Sequence, residues 1–145
     1  MRKQLLYFRF VALGCILLQS VAARSLDECY KYHKRASVKS VCGRIQNIIG
    51  ERPDGVVLTL VTPNGNLLST AKVDSNGKFV FGPVPKGNYL LRGTAPGYMT
   101  VERDLQVTHD QDRACKPKIE VTLGISSCHG GIYVKGFDKK RDLFR

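Results

Sequence analysis

The stretch that most constrains how this chain can fold is DSNGKFVFGPVPKGNYLLRGTAPGY, residues 74–98. It opens with an Asn-Gly dipeptide, which readily adopts the positive φ angles of a tight hairpin turn. Phe79 and Phe81 then fall on one face of an extended segment, and Tyr89 and Leu91 fall on one face of the next. The two prolines between these segments exclude a helix, because each fixes φ and removes a hydrogen-bond donor. The stretch therefore predicts two strands separated by turns.

Further strands are predicted along the rest of the chain, at residues 41–49, 56–62, 67–73, 98–107 and 118–123, with a short edge strand at 132–134. About seven strands, spaced by turns and without a long helical pattern, predict an all-β fold: a two-sheet antiparallel β-sandwich. The predicted core consists of the residues expected to face inward, which are Val56, Leu58, Leu60, Phe79, Phe81, Tyr89, Leu91, Val101, Ile119, Val121 and Leu123.

The order of these turn and strand residues, Asp…Asn-Gly-Lys-Phe…Phe…Val-Pro…Gly-Asn-Tyr…Ala-Pro-Gly-Tyr, resembles the carboxypeptidase regulatory-like domain. That family has a transthyretin-like (prealbumin-like) Greek-key sandwich, which also occurs as the B-type repeats of bacterial collagen adhesins (Cna B-type). The resemblance covers residues 41–123 and implies a small secreted bacterial protein. It is specific to the fold and not to a function, because such modules are attached to many unrelated proteins.

The first part of the chain, residues 1–23, has the pattern of a secretory signal peptide. Basic residues stand at its start, an apolar run covers residues 10–18, and small residues precede a cleavage site after Ala23. We therefore expect a secreted or periplasmic protein. The alternative is a lipoprotein with Cys15 as the lipid-attachment site, which is weaker because an apolar run follows that cysteine instead of a polar tether.

The remainder divides into three parts by composition: a basic N-terminal segment at residues 24–40, the sandwich at 41–124, and a C-terminal extension with a charged tail at 125–145. In the basic segment, Ser25 is a suitable helix N-cap, and Asp27 and Glu28 suit the positive end of a helix dipole. This pattern predicts a short helix within residues 24–39.

Four cysteines remain after removal of the predicted signal peptide: Cys29, Cys42, Cys115 and Cys128. An even number in a short exported chain predicts two disulfides, and three pairings are open. The resemblance implies that the first and last strands lie side by side, which favours Cys42 with Cys115 and Cys29 with Cys128. A zinc site is not expected, because structural zinc uses ligand pairs only a few residues apart.

Signals for catalysis are sparse. The chain has no Gly-x-Ser-x-Gly elbow, no His-Glu-x-x-His motif and no phosphate-binding loop. His33, His109 and His129 lie in separate segments without partner motifs, and we interpret them as solvent-exposed histidines. The resemblance is to an accessory domain of carboxypeptidases whose zinc-binding catalytic domain is missing from this chain. We therefore expect no enzymatic activity and no cofactor, and a small transthyretin-like hydrolase is the less favoured alternative.

Positive charge is the remaining feature, with 23 Lys and Arg against 12 acidic residues and a net charge of +11. Removal of residues 1–23 takes away three basic residues, which leaves 20 against 12, or +8. If disulfides join the termini, the basic side chains form one anion-binding patch, namely Lys31, Lys34, Arg35, Lys39, Lys139, Lys140 and Arg141. The simpler interpretation is a solvated basic surface that aids solubility.

Taken together, these features predict a secreted, non-enzymatic binding or accessory module. Its partner would be an envelope glycan or protein, or an anionic surface, and no nucleic acid is expected. Carbohydrate binding would use exposed aromatics such as Tyr98 and Tyr133, since the chain has no Trp. The alternative is a structural, protein-interaction role in the cell envelope through an open sheet edge.

Overall fold

The computed structural model describes residues 34–109, 118–126 and 129–138, which form two β-sheets. The described residues contain ten strands and no helix: β1 (Ala36–Val38), β2 (Cys42–Asn47), β3 (Val57–Val61), β4 (Leu67–Thr70), β5 (Lys72–Val73), β6 (Lys78–Val80), β7 (Gly87–Thr94), β8 (Val101–Val107), β9 (Ile119–Leu123) and β10 (Gly131–Val134). Sheet A has the order β1-β8-β7-β3-β4, and sheet B has the order β10-β9-β2-β6-β5. The predicted all-β, two-sheet architecture is confirmed.

The core lies between the two sheets and contains the inward residues of both. Every predicted core residue is buried except Val56, which is partly buried and packs against the core. Phe79 and Phe81 share one face as predicted, and their rings meet edge to face at 6.2 Å. Burial of each such side chain stabilises the fold by about 1.5–3 kcal/mol. The core also takes in residues that the sequence did not single out, among them Ile45, Leu105, Val107, Ile132 and Val134.

The strand count is higher than predicted because one expected strand is divided between the sheets and because β1 was not predicted as a strand. The segment predicted as a single strand at 67–73 forms β4 in sheet A and β5 in sheet B. Ala71 lies buried between them, and its N–H donates to the carbonyl of Leu58 at 2.9 Å. A bend at this residue moves the chain from one sheet to the other while keeping its backbone hydrogen-bonded.

The sheets are mixed, so the prediction of a purely antiparallel sandwich is wrong in two places. β1 pairs with β8 in parallel, and β2 pairs with β9 in parallel. The physical reason is that the β1–β2 segment and the β8–β9 segment both cross from sheet A to sheet B in the same direction. Hydrogen bonds from Thr108 N–H to the carbonyl of Val38 and from Lys118 N–H to the carbonyl of Cys42 join the two crossings.

The short helix predicted within residues 24–39 is wrong for its last part, because Ala36–Val38 is strand β1. Ala36 and Val38 are buried, while Ser37 faces outward and donates a hydrogen bond to Gln106 at 3.3 Å. Long-range pairing with β8 therefore determines this segment's conformation. Residues 24–33, which carry the proposed cap, lie outside the described residues.

The predicted Asn-Gly turn at residues 74–77 is confirmed. The carboxylate of Asp74 accepts the N–H groups of Asn76 and Lys78, both at 2.8 Å, and Gly77 has a φ of 75°. A Cβ at Gly77 would also overlap the carbonyl of Ile45, so this turn is held by both conformation and close approach. Among the residues that the structure describes, no helix has the length and apolar character needed to cross a membrane.

Candidate functional site

Three loops meet at one end of the sandwich. Parallel strands end at the same edge of a sheet, and β2 and β9 end together with Asn47 opposite Leu123. The loop before β8 joins them, because Met99 N–H donates to the carbonyl of Gly124 at 2.9 Å. The loops after β2, before β8 and after β9 therefore form one continuous surface.

These loops carry large aliphatic side chains that face solvent. Ile49 and Ile125 are 72% and 71% exposed, and Ile48 and Met99 are about half exposed. We call these four residues the apolar end patch. Single exposed apolar residues are ordinary on protein surfaces, but several at one end are typical of interaction sites.

The loop that presents Ile48 and Ile49 is held rigidly by the side chain of Asn47. The Asn47 Oδ1 accepts the N–H of Ile49 at 3.0 Å and the N–H of Glu51 at 2.9 Å. The backbone N–H of Asn47 donates to the carbonyl of Glu51 at 2.7 Å, which closes the loop. Because Asn47 is itself buried, it anchors the backbone of the loop from which the two isoleucines face solvent.

The neighbouring loops are also internally bonded. Tyr98 N–H donates to the carbonyl of Ala95 at 3.2 Å, and the Tyr98 hydroxyl lies 3.5 Å from the Asn47 Nδ2, so the first two loops are linked. In the third loop the Ser126 hydroxyl and the His129 Nδ1 lie 2.7 Å apart. The apolar end patch is thus a preformed surface, which lowers the entropic cost of binding.

A buried ion pair is formed by Arg103, an inward-facing residue of β8. The Arg103 Nη2 donates to the Asp138 Oδ1 at 2.7 Å, with side chains only 1% and 6% exposed. The Asp138 Oδ2 also accepts the N–H of Val134 at 2.7 Å. The pair joins sheet A to the turn after β10 in sheet B. Sequence reasoning missed it, although Arg103 stands in the inward alternation of β8 between Val101 and Leu105.

The predicted anion-binding patch is only partly within the described residues. Lys34, Arg35 and Lys39 are exposed around β1, and Lys31, Lys139, Lys140 and Arg141 lie outside the described residues. Asp138, the last described residue before the basic tail, is bonded to β8, and β1 pairs with the same strand. The basic residues around β1 and the basic tail after Asp138 therefore both adjoin strand β8. The anion-binding patch itself stays a prediction.

Of the four cysteines predicted to form disulfides, Cys42 lies within the described residues. It is 1% exposed, lies at the start of β2, and is disulfide-bonded. Cys29, Cys115 and Cys128 lie outside the described residues. The pairing and the presence of a second disulfide stay predictions.

The histidines and tyrosines singled out from the sequence occupy different settings. His109 and His129 are exposed, each within 3.0 Å of a neighbouring hydroxyl, and His33 lies outside the described residues. Tyr98 is half-buried, and Tyr133 is only 7% exposed, so Tyr133 does not provide the exposed aromatic surface suggested for carbohydrate. Within the described ranges, no group of three or more His, Cys, Asp or Glu residues could hold a metal ion.

Comparison with known proteins gives one family and several relatives. The model of the carboxypeptidase regulatory-like domain matches residues 40–122, more than half of the chain. A fibrinogen-binding protein of Staphylococcus epidermidis is 35% identical over 69 residues, 48% of this chain and 6% of that protein. Serine-aspartate repeat-containing protein F of the same species is 33% identical over 69 residues, 48% of this chain and 4% of that protein.

A further relative is Colossin-A of Dictyostelium discoideum, which is 40% identical over 52 residues, 32% of this chain and a share of Colossin-A that rounds to 0%. The chain thus spans a small fraction of the length of the relatives it matches. No solved structure matches it significantly.

Proposed function

Because the chain belongs to the carboxypeptidase regulatory-like domain family, we propose that it is an exported, non-enzymatic module that binds a protein partner through the apolar end patch. The observation that carries this proposal is the rigid display of Ile48 and Ile49 by Asn47, beside Met99 and Ile125. Export is supported by the signal-peptide pattern and by the disulfide at Cys42, since disulfides persist mainly in oxidising compartments.

A protein partner fits this surface better than a glycan does. The patch is aliphatic, and aliphatic surface of this kind is buried in the apolar centre of protein interfaces. The two tyrosines named above for carbohydrate binding do not offer exposed rings, because Tyr98 is half-buried and Tyr133 is buried. The name of the fibrinogen-binding relative also refers to a protein ligand, although this chain covers only 6% of that relative.

The two most exposed side chains of the patch set the size of the expected effect. Covering an isoleucine contributes about 2 kcal/mol. Since about 1.4 kcal/mol corresponds to a tenfold change in affinity, loss of one isoleucine from the interface weakens binding roughly 30-fold. A charge placed at the same point adds a desolvation cost, so Ile49→Asp and Ile125→Asp are the sharpest variants.

The test measures binding of the secreted protein to immobilised fibrinogen by surface plasmon resonance. In a second experiment, a variant with a benzophenone amino acid at position 49 is photo-crosslinked at the surface of the cells that produce it. Leu67→Asp, and benzophenone at position 67, provide the matched controls, because Leu67 is a 63%-exposed aliphatic residue on edge strand β4.

We expect either fibrinogen binding or one discrete protein adduct from position 49, lost in Ile125→Asp and retained in Leu67→Asp. The adduct arm covers a protein partner other than fibrinogen. Equal loss of binding in Ile125→Asp and in the control Leu67→Asp would contradict a role for the apolar end patch. Retention on polysaccharide without any protein adduct would favour the glycan alternative and overturn the proposal.

A further inference from the structure

The chain contains two Asn-Gly turns that are built alike, which we call the first turn (residues 62–66) and the second turn (residues 74–78). In each turn the glycine N–H donates to the carbonyl of the first residue, at 2.9 Å and 3.0 Å respectively. The N–H of the first residue donates to the carbonyl of the fifth, at 2.9 Å and 2.8 Å. Gly65 and Gly77 have φ angles of 82° and 75°, and the asparagine before each is exposed. Local turn geometry therefore does not distinguish the two Asn-Gly pairs.

Packing distinguishes the two glycines. Gly77 is buried, its carbonyl accepts the N–H of Ile45 at 2.7 Å, and a Cβ placed on it would lie 2.3 Å from the Ile45 carbonyl oxygen. Gly65 is exposed, and a Cβ placed on it would meet nothing within 4 Å beyond its chain neighbours. The second turn is therefore held against strand β2, whereas the first turn has open space around its glycine.

The side chain that caps each turn also differs. In the second turn the Asp74 carboxylate accepts the N–H groups of Asn76 and Lys78, both at 2.8 Å. In the first turn the Thr62 hydroxyl accepts the N–H of Asn66 at 3.2 Å. Two hydrogen bonds thus hold the Asn-Gly unit of the second turn, at the asparagine N–H and at the glycine carbonyl. Neither bond has a counterpart in the first turn among the described residues.

These two points matter because an Asn-Gly unit can react with itself. The glycine backbone nitrogen loses its proton to solvent and attacks the asparagine Cγ. A C–N bond forms, the side-chain nitrogen takes up a proton and leaves as ammonia, and a five-membered succinimide results. Water then opens the ring at either carbonyl to give aspartate or isoaspartate, so the net reaction consumes one water and releases one ammonia. Since the asparagine must rotate toward the glycine nitrogen, the rate depends on how readily the turn opens.

We propose that Asn64 is a site of spontaneous deamidation in the folded protein and that packing on β2 protects Asn76. The two hydrogen bonds at Asn76 and Gly77 slow local opening roughly 30-fold, which corresponds to about 2 kcal/mol. The reactive site lies beyond the β3–β4 ladder, which ends with Val61 opposite Leu67. The extra backbone carbon of isoaspartate therefore leaves the sheet intact, and the folded product carries one added negative charge. This inference does not depend on the apolar end patch.

The test ages the purified secreted protein at mildly alkaline pH, folded in buffer and unfolded in urea. Trypsin cuts after Lys72, between the two turns, so each asparagine is measured in its own peptide. Mass spectrometry follows the converted fraction with time, and an isoaspartyl methyltransferase assay identifies the isoaspartate product. In the folded protein Asn64 should convert roughly 30-fold faster than Asn76. In urea the two asparagines should convert at similar rates, because neither turn is packed.

Two matched variants separate the cap from the rest of the turn. Asp74→Ala removes the acceptor of the Asn76 N–H and should speed Asn76 conversion in the folded protein about tenfold. Thr62→Ala removes the cap of the first turn and should leave the Asn64 rate nearly unchanged, because that hydroxyl does not bond the Asn-Gly unit.

Equal conversion of Asn64 and Asn76 in the folded protein would overturn the proposal, as would an Asn64 that converts only in urea. A rate difference that persists in urea would assign it to local sequence and would also overturn the role of packing. The comparison of folded and unfolded wild type needs no variant, so it decides the matter even where Asp74→Ala does not fold.

Discussion

Replacement of Asp138 by alanine is the most direct test of how the two sheets are held together beside β10. The Asp138 carboxylate bonds Arg103 of sheet A at 2.7 Å and the N–H of Val134 of sheet B at 2.7 Å. Both charged side chains are almost completely buried. Asp138→Ala therefore removes a counter-ion from a guanidinium that lies in the sandwich interior.

The expected loss is about 3–5 kcal/mol, the usual cost of removing one partner from a buried ion pair. A small domain has only about 5–15 kcal/mol of total stability, so this change removes a large part of it. Arg103→Met with Asp138→Leu removes both charges together. That double variant should be closer to the wild type than Asp138→Ala is, because apolar replacement of both charges of a buried pair is often neutral. The part of the loss that remains is the hydrogen bond from the Val134 N–H, which leucine cannot accept.

Urea unfolding followed by circular dichroism measures these effects. With a slope of about 2 kcal/mol per molar urea, a loss of about 4 kcal/mol lowers the midpoint by about 2 M. Glu102→Ala is the matched control, because it breaks the exposed Arg92–Glu102 pair, which has an even shorter contact of 2.6 Å. An exposed pair contributes only about 0–1 kcal/mol.

Two results would refute this reasoning. One is an equal midpoint shift for Asp138→Ala and Glu102→Ala, which would mean that burial does not determine the value of the ion pair. The other is a double variant as unstable as the sum of Arg103→Met and Asp138→Leu, which would mean that the two side chains act independently.

Three further predictions concern residues of strand β2. Gly43→Ala should cost about 1–3 kcal/mol in urea unfolding, because a Cβ there would overlap the carbonyl of Ile119 in the parallel β2–β9 pair; unchanged stability would contradict this packing. Asn47→Ala should lower the melting temperature by several degrees by leaving two backbone N–H groups without their acceptor, whereas Asn47→Asp keeps the oxygen and should lose much less. Non-reducing peptide mapping should find Cys42 joined to Cys115, because Cys115 stands three residues before Lys118, whose N–H donates to the Cys42 carbonyl. A bond from Cys42 to another cysteine would exclude this pairing.

The parts of the fold that sequence predicts well are those fixed by local chemistry. Asp74 and Gly77 form the expected turn because a carboxylate and a glycine supply what that backbone needs. Phe79 and Phe81 are buried together because their spacing matches the strand period. The strand at Ala36–Val38 was missed because its conformation comes from pairing with residues far along the chain, which overrides local helix preference.

The candidate site was missed for a related reason. Ile48 and Ile49 were placed at the end of the first strand because an apolar run does not show where pairing stops. β2 ends at Asn47, whose side chain closes a loop instead of continuing the ladder. Arg103 was likewise not singled out, because Asp138, the acid that pairs with it, lies far away in the sequence. Local pattern thus predicts the sheets but neither the loop surface nor the buried ion pair.

The parallel pairing of β2 with β9 also constrains when the domain can form. Gly43 emerges early during synthesis, but Ile119, its neighbour in the sheet, follows only after most of the sandwich has been made. Closing such long loops is slow, and until β9 is made β2 has only β6 to pair with. Sheet B therefore stays incompletely paired until β9 has been synthesised, which makes chaperone protection of the nascent chain valuable.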